Sequence, residues 1–189
     1  MTEKLQQARQ SHQAGEIVTA GQLYREVLEH TPDNIEALYQ LGVLEFQSGR
    51  YEESERLLNR AIRLQPGNAS MHYSLGVVLA AAGQYNKAIE SYRKSTRIKP
   101  DFAEAYNNLG VTLVALGLRD DAVDAYQQAI RCKPGYIEPL NNLGIVQYEQ
   151  GKGTEAVASF RKVLSASPDF VPALQSLGNT YYEQGRLEQ

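Results

Sequence analysis

Apolar residues recur at intervals of three and four along this chain of 189 residues, in short blocks that end at glycine or proline. Tyr106, Leu109, Leu113 and Leu116 illustrate the spacing, which places four side chains on one stripe of an α-helix. Helices this short are marginal by themselves, so their stripes must be buried against one another. The pattern therefore predicts an all-α protein in which many short helices pack side by side.

The pattern returns every 34 residues, which is clearest from five prolines: Pro32, Pro66, Pro100, Pro134 and Pro168. Two series of glycines keep the same step, one from Gly42 to Gly178 and the other from Gly15 to Gly185. A fixed period of this size predicts a repeat protein. With repeats starting at residues 1, 35, 69, 103, 137 and 171, the glycines fall at positions 8 and 15 and the proline at position 32.

Each repeat is predicted to form two helices, at positions 1 to 14 and 17 to 31. The glycine at position 15 ends the first helix in a left-handed conformation, and the proline at position 32 stops the second. The glycine at position 8 lies inside a helix, where it costs about 1 kcal/mol relative to alanine. We therefore expect a close approach of the second helix, with Tyr126 or Ala122 against Gly110.

The clearest repeat combines Leu109, Gly110, Ala122, Tyr126 and Pro134 at positions 7, 8, 20, 24 and 32. This combination resembles the tetratricopeptide repeat (TPR). The resemblance implies an all-α, α-α superhelix, a right-handed solenoid of antiparallel helix pairs that binds other proteins. It covers residues 1–189 as a single solenoid, with repeats 1–34, 35–68, 69–102, 103–136 and 137–170 and the first helix of a further repeat, 171–189.

Composition narrows the location and the partners. A net charge of -3 and a pI near 5.7 offer no basic face, so nucleic acid is not an expected partner. Neither a signal peptide nor a membrane span is visible in the sequence, so a soluble, cytoplasmic protein without membrane contact is expected. The single cysteine, Cys132, agrees with a reducing compartment, and we expect it to be a small buried hydrophobe.

The resemblance implies that the first helices line a groove, with positions 2, 5, 6, 9, 12 and 13 facing it. The side chains predicted to bind a protein or peptide partner are Tyr39, Gln40, Tyr73, Ser74, Asn107, Asn108, Asn141, Asn142, Tyr148, Gln175 and Asn179.

Asparagine amides both donate and accept hydrogen bonds, so a row of them can bind the backbone of an extended peptide. Asn108 and Asn142, both at position 6, are similar to the asparagine ladder in the repeats of O-linked N-acetylglucosamine transferases. Gln40, Ser74 and Ser176 depart from that ladder. The alternative interpretation is that these asparagines are ordinary solvated residues of the family.

The charges on the predicted groove argue against one known type of ligand. No lysine or arginine stands at position 5 or 6 of the second to sixth repeats, so a clamp for a C-terminal carboxylate is not expected. Glu36, Glu104 and Glu138 at position 2 instead favour a partner of basic character.

The sequence contains no phosphate-binding loop, zinc-helix motif or nucleophile elbow. His12, His30 and His72 lie in different repeats without the spacing of metal ligands. We therefore predict no catalytic residue, no metal site and no cofactor, and hence no enzyme in this stretch of chain.

Three hypotheses for function remain. The first is a scaffold that binds an extended peptide or a helix of a partner in its groove. The second is the substrate-recruiting N-terminal region of a larger enzyme, such as a glycosyltransferase resembling the O-linked N-acetylglucosamine transferases. The third is self-association, because the sixth repeat stops at position 19 and leaves Leu174, Leu177 and Tyr181 without a second helix. The same feature predicts either a fragment of a longer protein or an end that packs against another copy.

Overall fold

The computed structural model describes residues 2–183 and 185. All regular structure in that part of the chain is helical. The helices are α1 (Thr2–Gln13), α2 (Ile17–His30), α3 (Ile35–Gln47), α4 (Tyr51–Leu64), α5 (Ala69–Ala81), α6 (Tyr85–Ile98), α7 (Ala103–Ala115), α8 (Arg119–Cys132), α9 (Ile137–Glu149), α10 (Gly153–Ala166) and α11 (Val171–Glu183).

Odd-numbered helices are the first helices of their repeats and even-numbered helices are the second. From α3 to α11, each helix starts where the repeat pattern predicts and ends within one residue of the predicted position. Gly117 illustrates the turn between them: its φ is +75°, and its amide donates to the Val114 carbonyl at 2.8 Å. Among the described residues, no helix has the length and apolar character needed to cross a bilayer.

The contacts of the chain divide into two compact units, Met1–Ile98 and Lys99–Gln189. In the N-terminal unit, each helix from α1 to α5 packs against the helix that follows it, and first helices α3 and α5 also touch. The core of this unit includes Ala8, Ala20, Tyr24, Val27, Ala37, Leu38, Leu41, Leu44, Leu57, Ala61 and Met71. These residues come from the stripes of three-and-four spacing, so the predicted burial of those stripes is confirmed there.

The C-terminal unit repeats the arrangement from α7 to α11, with contacts from α7 to α9 and from α9 to α11 between first helices. Leu140, Ala156, Phe160, Val163 and Ala173 form a buried cluster in this unit. The buried position predicted for Leu116 is wrong: α7 ends at Ala115, and Leu116, the residue that follows it, is 37% exposed. Each unit is thus a stack of antiparallel helix pairs, and the predicted all-α superhelical fold class is confirmed. That all six repeats form one solenoid stays a prediction.

The glycines at position 8 lie where the second helix comes closest. A Cβ atom built on Gly110 would lie 2.5 Å from Cε1 of Tyr126, and one on Gly76 would lie 2.6 Å from Cε1 of Tyr92. Real Cβ atoms do not approach that closely, so only glycine fits without a shift of the ring. This confirms that Tyr126 packs against the Gly110 backbone.

The buried position predicted for Cys132 is wrong, because the side chain is only partly buried. Position 30 lies in the last turn of the second helix, where Leu64 and Ile98 are also 40% and 39% exposed. The Cys132 thiol lies 3.4 Å from the Pro100 carbonyl oxygen, and its partial burial raises its pKa.

Candidate functional site

The site predicted from the sequence lies on the side of the first helices that carries positions 2, 5, 6, 9, 12 and 13, which we call the first-helix face. Because side chains three and four residues apart share one side of a helix, positions 4, 7 and 11 point the other way, toward the second helices. Leu41 and Leu75 at position 7 are accordingly buried, whereas Tyr39 and Tyr73 at position 5 are half-buried.

In the N-terminal unit, neighbouring first helices are joined by a side-chain hydrogen bond on this face. Tyr39 Oη on α3 and Ser74 Oγ on α5 lie 3.0 Å apart. Beside this pair is a recess of about 240 Å³ whose lining is mostly apolar and comprises Val43, Phe46, Gln47, Leu58, Tyr73, Ser74, Val77 and Val78. The first-helix face of this unit therefore combines a fixed polar pair with space for an apolar side chain.

Gln40, the remaining predicted residue of this unit, borders a second recess of about 420 Å³ together with Arg9, His12, Gln13, Tyr24 and Glu36. Both carboxylate oxygens of Glu36 accept hydrogen bonds from the Arg9 guanidinium. In the C-terminal unit, Glu104 lies 3.7 Å from Lys133. Two of the three glutamates at position 2 are therefore paired within the chain, which weakens the expectation of a basic partner.

The asparagines of the C-terminal unit form a connected group. Asn142 Nδ2 on α9 donates to Asn107 Oδ1 on α7 at 3.3 Å, and Asn107 Nδ2 lies 3.4 Å from Asn108 Oδ1. Asn107 and Asn142 hold positions 5 and 6, the same positions as Tyr39 and Ser74 in the other unit. In both units, therefore, position 5 of one first helix is hydrogen-bonded to position 6 of the next.

Burial separates the asparagines into two rows. Asn107 and Asn141 at position 5 are 8% and 7% exposed, whereas Asn108 and Asn142 at position 6 are half-buried. The Oδ1 atom of Asn141 is buried and has no hydrogen-bond partner among the described residues. An unsatisfied buried acceptor costs about 1–3 kcal/mol, so it is uncommon and calls for an explanation.

The remaining predicted residues lie toward the end of the C-terminal unit. The Tyr148 hydroxyl donates to the Glu183 carboxylate, and this hydrogen bond raises the pKa of Tyr148. Gln175 and Asn179 on α11 are exposed, and their side chains make no hydrogen bond within the described part of the chain. Tyr148 thus links α9 to α11, while Gln175 and Asn179 stay apart from the asparagine group.

A buried ionic cluster in the N-terminal unit was missed from the sequence. Glu45 at position 11 of α3 is 1% exposed, and its carboxylate binds both Arg25 and Arg50. Leucine, as Leu79 and Leu113, holds position 11 in the next two repeats. A glutamate at this otherwise apolar position was the feature of the sequence that could have indicated the ionic cluster. The side chains of Arg25 and Arg50 are 53% and 56% exposed. The cluster therefore connects the buried carboxylate on α3 to two guanidinium groups that remain in contact with solvent.

Family models match almost the whole chain. Models described as tetratricopeptide repeats match residues 11–76, 102–133 and 141–189, and one described as a TPR repeat matches residues 78–117 and 119–151. The chain therefore belongs to the tetratricopeptide repeat family.

Solved structures with this fold include a crystal structure of MamA, with 26% identity, a TM-score of 0.82, and coverage of 87% of this chain and 96% of that one. MamA from residue 41 to its end, from Desulfovibrio magneticus RS-1, is 22% identical with a TM-score of 0.83 over 89% and 96% of the two chains. YrrB is described as a TPR protein with an unusual peptide-binding site. Its structure is 22% identical, with a TM-score of 0.79, and the match covers 92% of this chain and 89% of that one. No curated protein matches the chain.

Proposed function

We propose that this protein is a non-catalytic interaction module that holds an extended segment of a partner protein on its first-helix face. The observation that supports this most is the buried, unpartnered amide oxygen of Asn141, next to the Asn107–Asn142 hydrogen bond. YrrB, which shares the fold, is described as having a peptide-binding site, which is consistent with the proposal.

A peptide backbone offers what the asparagine group lacks. A backbone N–H of the partner would supply the missing hydrogen bond to Asn141 after a rotation of its amide toward the face. A backbone carbonyl would accept the second amide proton of Asn142, because each asparagine NH2 group has two donors. Since these contacts use only main-chain atoms, the C-terminal unit would hold a segment with little regard to its sequence.

The N-terminal unit offers a different, selective contact. The recess beside Phe46 and Tyr73 has an apolar lining and suits one aliphatic or aromatic side chain of the partner. Within the N-terminal unit, a partner segment would thus be held by one anchoring side chain.

Replacing Asn141 with leucine separates binding from stability. Leucine is close to asparagine in size and removes the unsatisfied acceptor. We therefore expect the free energy of unfolding of Asn141→Leu to equal that of the wild type or to exceed it by up to about 1 kcal/mol. Peptides selected from a randomised library by the wild-type protein should bind Asn141→Leu at least about tenfold more weakly. Fluorescence anisotropy with the labelled peptide measures the affinity, and urea unfolding measures the stability.

The matched control is Asn86→Leu, because Asn86 is an exposed residue of second helix α6 and lies off the first-helix face. This variant should bind the selected peptide as the wild type does. Wild-type affinity in Asn141→Leu, or an equal loss in both variants, would show that the asparagine group does not hold the peptide.

As a second candidate, we propose that the same face recruits substrates for a larger enzyme, because Asn108 and Asn142 resemble, in the sequence, the asparagine ladder of O-linked N-acetylglucosamine transferases. The Asn107–Asn142 hydrogen bond favours an ordered amide group of that kind, although position 6 carries asparagine only at Asn108 and Asn142. The native reading frame distinguishes the alternatives, since this one requires a catalytic domain in the same polypeptide.

Self-association is favoured by a separate observation on α11. Leu174 at position 4 is 47% exposed, whereas Leu38 and Leu140 at the same position are 0% and 7% exposed. A second copy would cover this apolar surface. Sedimentation should then show a dimer that Leu174→Glu converts to a monomer, and a wild-type monomer at high protein concentration would refute this candidate.

A further inference from the structure

A cleft of about 440 Å³ opens on the opposite side of the C-terminal unit from the asparagine group. Its walls are the second helices α8 and α10, and its floor is α9. It is lined by Gln127, Ile130, Arg131, Leu140, Leu143, Gln147, Glu155, Ala158, Ser159 and Lys162. The three lining residues of α9 hold positions 4, 7 and 11, so the cleft shares no residue with the first-helix face.

The floor of the cleft is apolar and remains open because one wall residue is small. Leu140 and Leu143 are each 7% exposed, and Ile130 packs against the buried cluster to which Leu140 belongs. Ala158 at position 22 of its repeat is exposed above this floor, whereas Glu90 holds the same position in α6. A longer side chain at residue 158 would cover the leucines, so alanine is what leaves room for a ligand.

The cleft also contains hydrogen-bond donors that the protein does not use. The Ser159 hydroxyl, on a residue that is 7% exposed, donates to Gln147 Oε1 at 2.7 Å. This bond fixes the Gln147 amide and leaves its NH2 group without a hydrogen bond among the described residues. Position 11 is apolar in α5 and α7, where Leu79 and Leu113 stand. An oriented NH2 group above an apolar floor suits an acceptor such as a carboxylate or a backbone carbonyl.

The charges at the rim point to the same kind of ligand. Arg131 on α8 and Lys162 on α10 line opposite walls, and both are exposed. Neither forms an ion pair within the described part of the chain, although Arg119 and Lys133 of the same unit are paired with Glu149 and Glu104. With Glu155 as the single acid of the lining, the rim carries a net positive charge in a protein whose net charge is -3.

We propose that this cleft binds an acidic segment of a partner protein. One aliphatic side chain of the segment enters between Leu140, Leu143 and Ala158, and carboxylates on either side of it meet Arg131 and Lys162. The Gln147 amide donates to a carboxylate or a backbone carbonyl of the same segment. The site is independent of the first-helix face, because it is lined by other residues.

Three synthetic peptides test the charge and the apolar anchor separately. The first has a central leucine pair flanked by glutamates, the second replaces the glutamates with lysines, and the third replaces the leucines with serines. We expect the full chain to bind the first peptide at least about tenfold more tightly than either of the others. Equal binding of the glutamate and lysine peptides, or no binding of the first, would overturn the proposal.

Variants then locate the bound peptide. Ala158→Phe fills the cleft from an exposed position, and the pair Arg131→Glu/Lys162→Glu reverses the rim charge; each should weaken binding of the glutamate peptide at least about tenfold. The matched control is Arg63→Glu/Lys94→Glu, which changes exposed cations at the same repeat positions in the N-terminal unit.

The control variant should bind as the wild type does, with circular dichroism showing that every variant is folded. An equal loss in the control, or wild-type binding by Ala158→Phe, would refute the assignment of this cleft. Asn141→Leu should leave the affinity for the glutamate peptide unchanged, so failure of this proposal and failure of the first-helix face proposal give different results.

Discussion

Adding a single methyl group at Gly110 tests the packing that holds each helix pair together. The Cβ of alanine would lie 2.5, 2.7 and 2.9 Å from the Tyr126 ring atoms Cε1, Cδ1 and Cζ. Favourable contact between carbon atoms needs about 3.5–4.0 Å, so the ring would have to move by about 1 Å. Tyr126 is 2% exposed, which makes that movement costly.

The magnitude is the difference between two opposing effects. Overpacking of a well-packed core costs about 1–3 kcal/mol, and three overlapping ring atoms place Gly110→Ala toward the upper end. Alanine in a helix interior recovers about 1 kcal/mol relative to glycine. We therefore expect Gly110→Ala to lower the free energy of unfolding by about 1–2 kcal/mol.

Gly178 at the same position of α11 provides the matched control. A Cβ built there would meet no heavy atom within 4 Å among the described residues, apart from its chain neighbours and its own helix backbone. Only the helix propensity then changes, and Gly178→Ala should raise the free energy of unfolding by about 0.5–1 kcal/mol. The same chemical change at the same repeat position thus has opposite predicted signs.

Urea unfolding followed by far-ultraviolet circular dichroism measures both variants, with the transition midpoint reporting stability if the slope is unchanged. The second repeat has leucine, Leu58, in place of Tyr126, and there a Cβ built on Gly42 would lie 3.0 Å from the nearest Leu58 atom. Leucine thus leaves more room for the added methyl group. In a Tyr126→Leu background, the cost of Gly110→Ala should therefore fall by about 1 kcal/mol. Gly110→Ala as stable as Gly178→Ala would refute the close-approach explanation of these glycines.

Two further predictions concern buried polar groups. Burial raises the pKa of Tyr126 above the usual tyrosine value of about 10. The folded state therefore favours the neutral phenol. The stability that this adds is complete below pH 10, about the pKa of the unfolded chain, and is lost as the pH rises through the raised pKa. Tyr126→Phe should be as stable as the wild type at neutral pH, because phenylalanine already occupies the same repeat position at Phe160. At alkaline pH it should unfold at a higher pH than the wild type. An equal or lower midpoint of alkaline unfolding would contradict this. Glu45→Leu should change stability little, whereas Arg25→Ala/Arg50→Ala, which leaves the buried carboxylate unpaired, should cost about 3 kcal/mol in urea unfolding; equal costs would contradict the reasoning.

The sequence predicted those features of the fold that recur in each repeat. Glycine at positions 8 and 15 and proline at position 32 act through the local backbone and through contacts inside one repeat, so the sequence located the helix ends and the Gly110–Tyr126 contact. The helix class and the buried stripes followed from the same period.

The sequence did not predict contacts that depend on two different repeats or on a single departure from the pattern. The hydrogen bond between Asn107 and Asn142 requires the offset between neighbouring first helices, which no spacing along one helix reveals. The burial of Asn141 beside the half-buried Asn142 has the same origin. Glu45 and Ala158 are departures at one repeat each, and their consequences depend on the helices around them.

A partner segment on the first-helix face would lie against the side-chain amides of the asparagine group. A two-dimensional ¹H–¹⁵N spectrum, recorded with and without a peptide selected from the randomised library, reports on these amides. We expect the signals of Asn107, Asn141 and Asn142 to shift on binding, while those of Gln127 and Gln147 in the opposite cleft do not. Unchanged asparagine signals in the presence of bound peptide would contradict this expectation.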